Sequence, residues 1–330
     1  MRRLTYFVIF LAALYSIYWL VGSRAVERGA ISAISQAQDD GWDISYTDLN
    51  TIGFPSRFDT TVTELSVSPV GDPWRWDAPF FQVFALSYQP NRVIAAFPDE
   101  QQFAVAGQVI TLNADGLRAS AGVAANADLS FDDATIEVGQ LTAKSDMSWQ
   151  MSWDRALGAF RTQPSAENRY DAYFEADEII LPRAIVEQID PSGRLGPALT
   201  HVVQDSAITF DQPLDRHAFD GLGPAPVATN FTLRNFTIRW GAVTVQAQGG
   251  FDIDRQGIPD GRITFRSEQW REMIEMMVAA GLIDPGIETT VMNVASTMAL
   301  GSGGLELPLV FRGGSMSIGP LPIGPAPRFR

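Results

Sequence analysis

From Leu4 to Val21 the chain carries 18 residues without a charge. A helix over them is about 27 Å long at roughly 1.5 Å per residue, close to the hydrocarbon thickness of a bilayer. Arg2, Arg3 and the amino terminus put positive charge before the run. The positive-inside rule then leaves Met1 in the cytoplasm and sends the rest of the chain outward. Tyr6, Tyr15, Tyr18 and Trp19 sit towards the ends of the run, where amphipathic rings favour the membrane–water interface.

A cleaved signal peptide is the rival reading, with Ser23 and Ala25 at the −3 and −1 positions of a cut. Signal h-regions run about 7–15 residues, and this run is longer and richer in aromatics, which favours an uncleaved anchor. Val26, Ala30, Ala33, Ile34 and Ala37 keep a helical spacing beyond the span, up to Gly41. The spacing predicts a stalk that continues the helix outward and packs on the first strands. The expected domains are therefore an anchor at 1–24, a helical stalk at 25–41 and a body at 42–330, with a division of the body near residue 180.

The body reads mostly as strand. TTVTELSVSP, FFQVFALSYQ, NRVIAAF, QQFAVAG and GQVITLNADGLRAS are β-prone runs between Pro, Gly and Asn turns. In MSWQMSW, Met147, Trp149, Met151 and Trp153 alternate with Ser148, Gln150 and Ser152. That pattern predicts a half-buried strand whose four bulky groups form a core face or line an apolar binding groove. LPRAIVEQI and ALTHVVQD are expected as short helices, followed by strands at SAITFDQPL and FTLRNFTIRW.

Two more helices follow. Ser267 is the expected cap of the first, with a stripe of Trp270, Met273, Ile274, Met277 and Val278 ending at Gly281. Asp284-Pro285 opens the second, whose stripe is Ile287, Val291, Val294 and Met298, up to Gly301. Leu305, Leu307, Leu309 and Phe311 form a late strand that turns at Gly313-Gly314 and returns through Met316 and Ile318 into a proline-punctuated tail. The fold class expected is α+β: a predominantly antiparallel β-sheet body with a few short helices in the C-terminal half, preceded by one transmembrane helix.

FDIDRQGIPDGRITF, residues 251–265, raises the question of a calcium loop, because Asp252, Asp254, Gln256 and Gly257 fall at its positions 1, 3, 5 and 6. Position 12 is Ile263 rather than glutamate, and the flanks alternate as strands. Asp252 and Asp254 then belong to the polar face of a hairpin. Val243, Val245, Ala247, Phe251, Ile253, Ile263 and Phe265 form its apolar face.

Chemistry is thinly signalled. There is no cysteine, which excludes disulfides, thiolate metal sites and cysteine nucleophiles. His201 and His217 are the only histidines and have no histidine partner at metal-ligand spacing. Lys144 is the only lysine. Neither a nucleophile elbow nor a P-loop is present, since Gly301-Ser302-Gly303-Gly304 lacks the lysine. The acidic pairs Asp39-Asp40, Asp99-Glu100, Asp132-Asp133 and Asp177-Glu178 are ordinary solvated turns unless one is paired for acid–base work. A net charge of −14 argues against nucleic acid and bare anionic membrane as partners.

WGAVTVQAQGGFDIDRQGIPDGRITF, two helices and LELPLVFRGGSMSIGPLPIGPAP, with IGFPSRFDTTVTEL earlier, resemble a family of alphaproteobacterial envelope proteins, domain of unknown function twenty-one twenty-five. Trp240-Gly241, Gly249-Gly250, Pro259-Asp260-Gly261 and Gly319-Pro320 carry the likeness. A weaker likeness, in hairpin style alone, connects it to AsmA-type envelope proteins, which are associated with lipid homeostasis. The resemblance implies a single-pass inner-membrane protein with its body in the periplasm, and no reaction or cofactor. Two functions are therefore expected. One is a non-enzymatic module that binds a lipid or another envelope protein on an apolar face such as Met147, Trp149, Met151 and Trp153. The other is a periplasmic hydrolase using acidic residues with His217 as helper.

Overall fold

In a computed structural model of the chain the uncharged run is helical throughout. Helix α1 (Arg2–Asp39) continues without a break through Ser23, Ala25 and the stalk, and Gly41, at a φ of 94°, follows its end. It is long and apolar enough to cross a membrane. Val26, Ala30, Ile34 and Ala37 are half-buried while Ala33 is exposed, because α1 lays one narrow face on the first strands. The structure describes residues 1–190, 193–218, 223–299, 304–319 and 321–329. Gly301, Ser302, Gly303 and Pro320, named above, lie outside the described residues.

The strands are β1 (Trp42–Ser45), β2 (Asp48–Ile52), β3 (Arg57–Pro69), β4 (Arg75–Leu86), β5 (Gln89–Ala96), β6 (Glu100–Val105), β7 (Gln108–Ala114), β8 (Arg118–Val123), β9 (Phe131–Val138) and β10 (Leu141–Ser145). Then come β11 (Gln150–Trp153), β12 (Arg155–Thr162), β13 (Arg169–Ile180), helix α2 (Arg183–Ile189), β14 (Ala198–Phe210), β15 (Ala228–Trp240), β16 (Val243–Ile253) and β17 (Pro259–Ser267). Helices α3 (Trp270–Ala279) and α4 (Glu288–Met298) precede β18 (Leu305–Arg312), β19 (Ser315–Ile318) and β20 (Leu321–Pro325). The fold is α+β and predominantly antiparallel.

Two compact units divide the chain: Met1–Val123 with Ile136–Ser148, and Ala124–Thr135 with Trp149–Arg330. Residue 180, the expected dividing point, ends β13 inside the second unit. The change of pattern there is a crossover through α2 between two strands that pair along their length. In the first unit β3 pairs with β1 and β2 on one side and β4 on the other. β4 forks to β5 and β6, then β5 pairs with β8, β6 with β7, and β7 with β10. Trp76, Phe81, Phe97 and Phe103 pack with ring centroids 5.2–6.2 Å apart, and the Trp76 indole donates to the buried amide oxygen of Gln101 at 3.0 Å.

The second unit is a meander in which each strand from β12 to β20 pairs with the next. Helices α3 and α4 sit in the connection between β17 and β18. Trp270, Met273, Ile274 and Met277 of α3 and Val291 and Ala295 of α4 close a core over Val243, Val245, Leu305, Leu307 and Ile318. The hairpin of β16 and β17 has the expected parity. Ala247, Phe251, Ile253 and Ile263 are buried, and Gln248 stands across from Thr264. Gly249 has a φ of 140°, and a Cβ there would lie 2.2 Å from the Arg262 carbonyl oxygen, so that close strand crossing admits only glycine.

Several elements differ from expectation. ALTHVVQD is the first half of β14, because it is paired on both sides, by β13 and β15. Tertiary pairing overrides the helical spacing. Ser267 pairs with Leu305 as the last residue of β17, so it does not cap α3, whose N-cap is Gln269 without a side-chain capping bond. In α4 the i, i+4 pair Val291 and Ala295 is buried and Met298 is exposed. The tail adds a short strand, β20, whose prolines are tolerated beside a single partner, β19. MSWQMSW is not one strand: Ser148 has a φ of 66°, which turns the chain, and only Gln150–Trp153 is extended.

Candidate functional site

Tyr15, Tyr18, Trp19 and Gly22 recur at i, i+3, i+4 and i+7, so they share one face of α1. That face meets the turn between β2 and β3 and the turn between β4 and β5. The Tyr15 hydroxyl donates to the Pro55 carbonyl at 2.9 Å and lies 3.0 Å from the Ser87 hydroxyl. The Tyr18 hydroxyl donates to the Ser87 carbonyl at 2.6 Å, and the Trp19 indole donates to the Arg57 carbonyl at 2.8 Å. Ser87 is fully buried. Its N–H donates to the Ser56 carbonyl at 2.9 Å, and the Arg57 N–H closes the first turn on the Gly53 carbonyl at 3.0 Å. Gly53 takes a φ of 111°, and a Cβ there would lie 2.9 Å from the Arg57 carbonyl oxygen.

The same turns begin a groove. Asp59, Phe84, Ile94 and Ser120 stand side by side across β3, β4, β5 and β8. Phe58 points to the opposite face, against Trp19 at 6.1 Å between ring centroids, so this row lies on the sheet face turned away from α1. A groove of about 510 Å³ runs over it, lined by Arg57, Phe84, Leu86, Arg92, Ile94 and Ser120 among others. The Arg57 guanidinium is 5.9 Å from the Phe84 ring centre and 2.8 Å from Asp59. An apolar floor with guanidinium groups at its margin has the chemistry to take an amphiphile, tail on Phe84 and Ile94 and anionic head at the arginines.

The second unit holds the titratable cluster. Arg155, Asp177, His201 and Arg239 form one cross-strand row over β12–β15. Arg155 binds Asp177 at 2.7 Å, and His201 Nδ1 lies 2.8 Å from the other Asp177 oxygen. The His201 bond, then Arg155, hold the Asp177 carboxyl below its ordinary pKa against the effect of burial. Further along, burial disfavours charge on Asp171, but the bonds and charges of Arg234 and Arg161 outweigh it and lower the pKa. Tyr173 donates to Glu175 at 2.9 Å, and burial followed by that carboxylate raises its pKa. Glu175, Asp177 and His201 offer ligand atoms within 4.8 Å of one another. Both Asp177 oxygens are engaged, one by a guanidinium that would repel a cation, so the donor set fits a metal poorly and reads as a charge-balanced ladder.

The residues nominated from sequence are dispersed. Met147 is exposed in a turn of the first unit, while Trp149, just before β11, and Met151 and Trp153 within it are half-buried in the second. Asp252 accepts from Asn230 at 2.7 Å, and Asp254 caps its own turn by accepting from the N–H groups of Gln256 and Ile258 at 2.8 and 2.9 Å. His217 lies in a single turn of 3₁₀ helix, apart from His201 in sequence and strand. The packing of the stalk on the first strands was expected, but the groove and the bonds from Tyr15, Tyr18 and Trp19 to the turns escaped sequence reasoning. The one signal for those bonds was the i, i+3, i+4, i+7 spacing of Tyr15, Tyr18, Trp19 and Gly22; the groove had none.

Residues 19–327 match the family described as an uncharacterized protein conserved in bacteria, domain of unknown function 2125, and the chain belongs to that family. No curated protein and no solved structure matches it.

Proposed function

We propose that this chain is a membrane-anchored lipid-binding protein of the bacterial envelope. Helix α1 crosses the inner membrane with Met1 on the cytoplasmic side, the body lies in the periplasm, and the groove of the first unit holds a phospholipid without transforming it. The observation that carries this reading is the apolar row of Phe84 and Ile94 with Arg57 at its edge, on the unit to which α1 is hydrogen-bonded. Retention of the anchor is supported by the same bonds, because a cut after Ala25 would remove all three donors, Tyr15, Tyr18 and Trp19. A hydrolase would draw on Glu175, Asp177 and His201, but the Asp177 oxygens are taken by Arg155 and His201, which favours the groove.

The test is native mass spectrometry of the full chain released from nanodiscs of mixed phosphatidylethanolamine and phosphatidylglycerol. One retained phospholipid per chain is expected, and its loss in Ile94→Glu. A chain that leaves the nanodisc empty, or an Ile94→Glu variant that keeps its lipid, overturns the assignment and moves weight to a scaffold that contacts another envelope protein.

A further inference from the structure

We infer that the two turns bonded to α1, residues 52–57 and 86–89, form a wedge that inserts into the outward-facing leaflet of the membrane that α1 crosses. This rests on α1 being a membrane helix but not on the groove holding a lipid.

Depth gives the first reason. The turns are joined to α1 at Tyr15, Tyr18 and Trp19. A bilayer core needs about 20 helical residues. Leu4 to Tyr15 supplies about 18 Å at roughly 1.5 Å per residue, well short of the ~30 Å needed. The span must therefore use the residues up to Val21. Tyr15 then lies about 9 Å inside the outer end of the apolar run, by the same rise per residue. Turns bonded to it lie at headgroup and upper-acyl depth.

The surface of the turns gives the second. Ile52, Phe54 and Tyr88 are 62, 56 and 71 % exposed, in two turns that carry no charge between Ile52 and Ser56 or between Leu86 and Asn91. The next charges after them along the chain are Arg57 and Arg92, guanidinium groups suited to lipid phosphates, while Asp48 precedes Ile52 by four residues. Arg57 already pairs with Asp59 at 2.8 Å, so a phosphate would share its guanidinium with that carboxylate.

The backbone gives the third. A carbonyl inside a leaflet is costly unless it has a donor. Here the carbonyls of Pro55, Ser87 and Arg57 each accept from a phenol or indole of α1, and those of Gly53 and Ser56 accept backbone N–H groups. Turns facing water would not need this. Occupied in this way, the wedge fixes the depth of the first unit and places the mouth of the groove, at Arg57, Leu86 and Gln89, against the leaflet.

The chain has no cysteine, so single spin labels can be placed without background. The full chain in nanodiscs is labelled in turn at Phe54→Cys, Tyr88→Cys, Phe10→Cys within the span, and Val70→Cys, about 40 Å along β3 from the turns at ~3.3 Å per residue. Accessibility to oxygen and to a water-soluble nickel chelate reads depth. Labels at 54 and 88 are expected to lose nickel accessibility and gain oxygen accessibility relative to 70, approaching the label at 10. If 10 is membrane-buried while 54 and 88 match 70, the wedge is overturned and the anchor stands. If 10 itself matches 70, anchor and wedge fall together. Phe54 also packs on Trp19, so Tyr88, which is 71 % exposed, gives the reading least affected by packing.

Discussion

Gly22 of α1 lies directly against the ring of Phe58: a Cβ at Gly22 would come within 2.7 Å of Phe58 Cζ. Phe58 is 4 % exposed and also packs against Trp19, one turn before Gly22 on the same helix face, so the ring has little room to give. A glycine in mid-helix costs about 1 kcal/mol against alanine, and here the close approach of helix and strand offsets that cost. Gly22→Leu is expected to destabilise the first unit by about 1–3 kcal/mol, as overpacking does. Hydrogen exchange of the full chain in detergent should show the Arg57 and Ser87 amides opening faster. Unchanged protection at both amides would mean that α1 does not need this contact.

Tyr18 and Tyr15 both donate into the turns, yet their removal should differ. The Ser87 carbonyl accepts from Tyr18 at 2.6 Å inside a residue with no exposure, so Tyr18→Phe orphans a buried acceptor at a cost of about 1–3 kcal/mol. The Pro55 carbonyl keeps a second donor, the Ser87 hydroxyl at 3.4 Å, when Tyr15 is truncated. Tyr15→Phe should therefore cost visibly less. Thermal unfolding of the two variants in the same detergent decides it, and equal losses would contradict the ranking.

Much of this fold was legible because its strands alternate and its turns carry glycine or proline. The hairpin of β16 and β17 is the clearest case. Its parity alone separates the buried Phe251 and Ile263 from the wet Gln248 and Thr264. What misled was local pattern without knowledge of partners. His201 looked helical until β13 and β15 bracketed its strand, and Met147 looked like a strand residue until Ser148 turned the chain at a φ of 66°. The groove stayed hidden because Phe84, Ile94 and Ser120 belong to three strands whose pairing no periodicity reports. The stripe from Tyr15 to Gly22 was readable, but membrane-interface preference gave those aromatics a sufficient reason without a protein partner.

That difference between pattern and packing has a measurable form in the second unit and the turn before it. Ile274 is fully buried between α4 and the strands of the C-terminal core. Ile274→Ala should cost about 2–5 kcal/mol. Met147 is 59 % exposed, and Met147→Ser should stay within about 0.5 kcal/mol of the parent. Urea unfolding monitored by tryptophan fluorescence compares them. A large loss at Met147 would restore it to an apolar face that the fold denies it.

Asp177 makes stability depend on pH with a definite sign. Its carboxyl is held below the ordinary value of 3.8 first by the bond to His201 and then by Arg155, against burial. A carboxyl whose pKa is lower folded than unfolded stabilises fully above the unfolded value, and the contribution fades as pH falls through the folded one. Asp177→Asn removes it at every pH. The thermal midpoint of the variant should therefore lie below that of the parent at neutral pH, and the gap should narrow as pH drops beneath about 4 towards full protonation. Circular dichroism melts across that range measure the gap. A gap that held constant into strong acid would mean that the loss at Asp177 comes from packing and not from the charge that Arg155 and His201 face across the ladder.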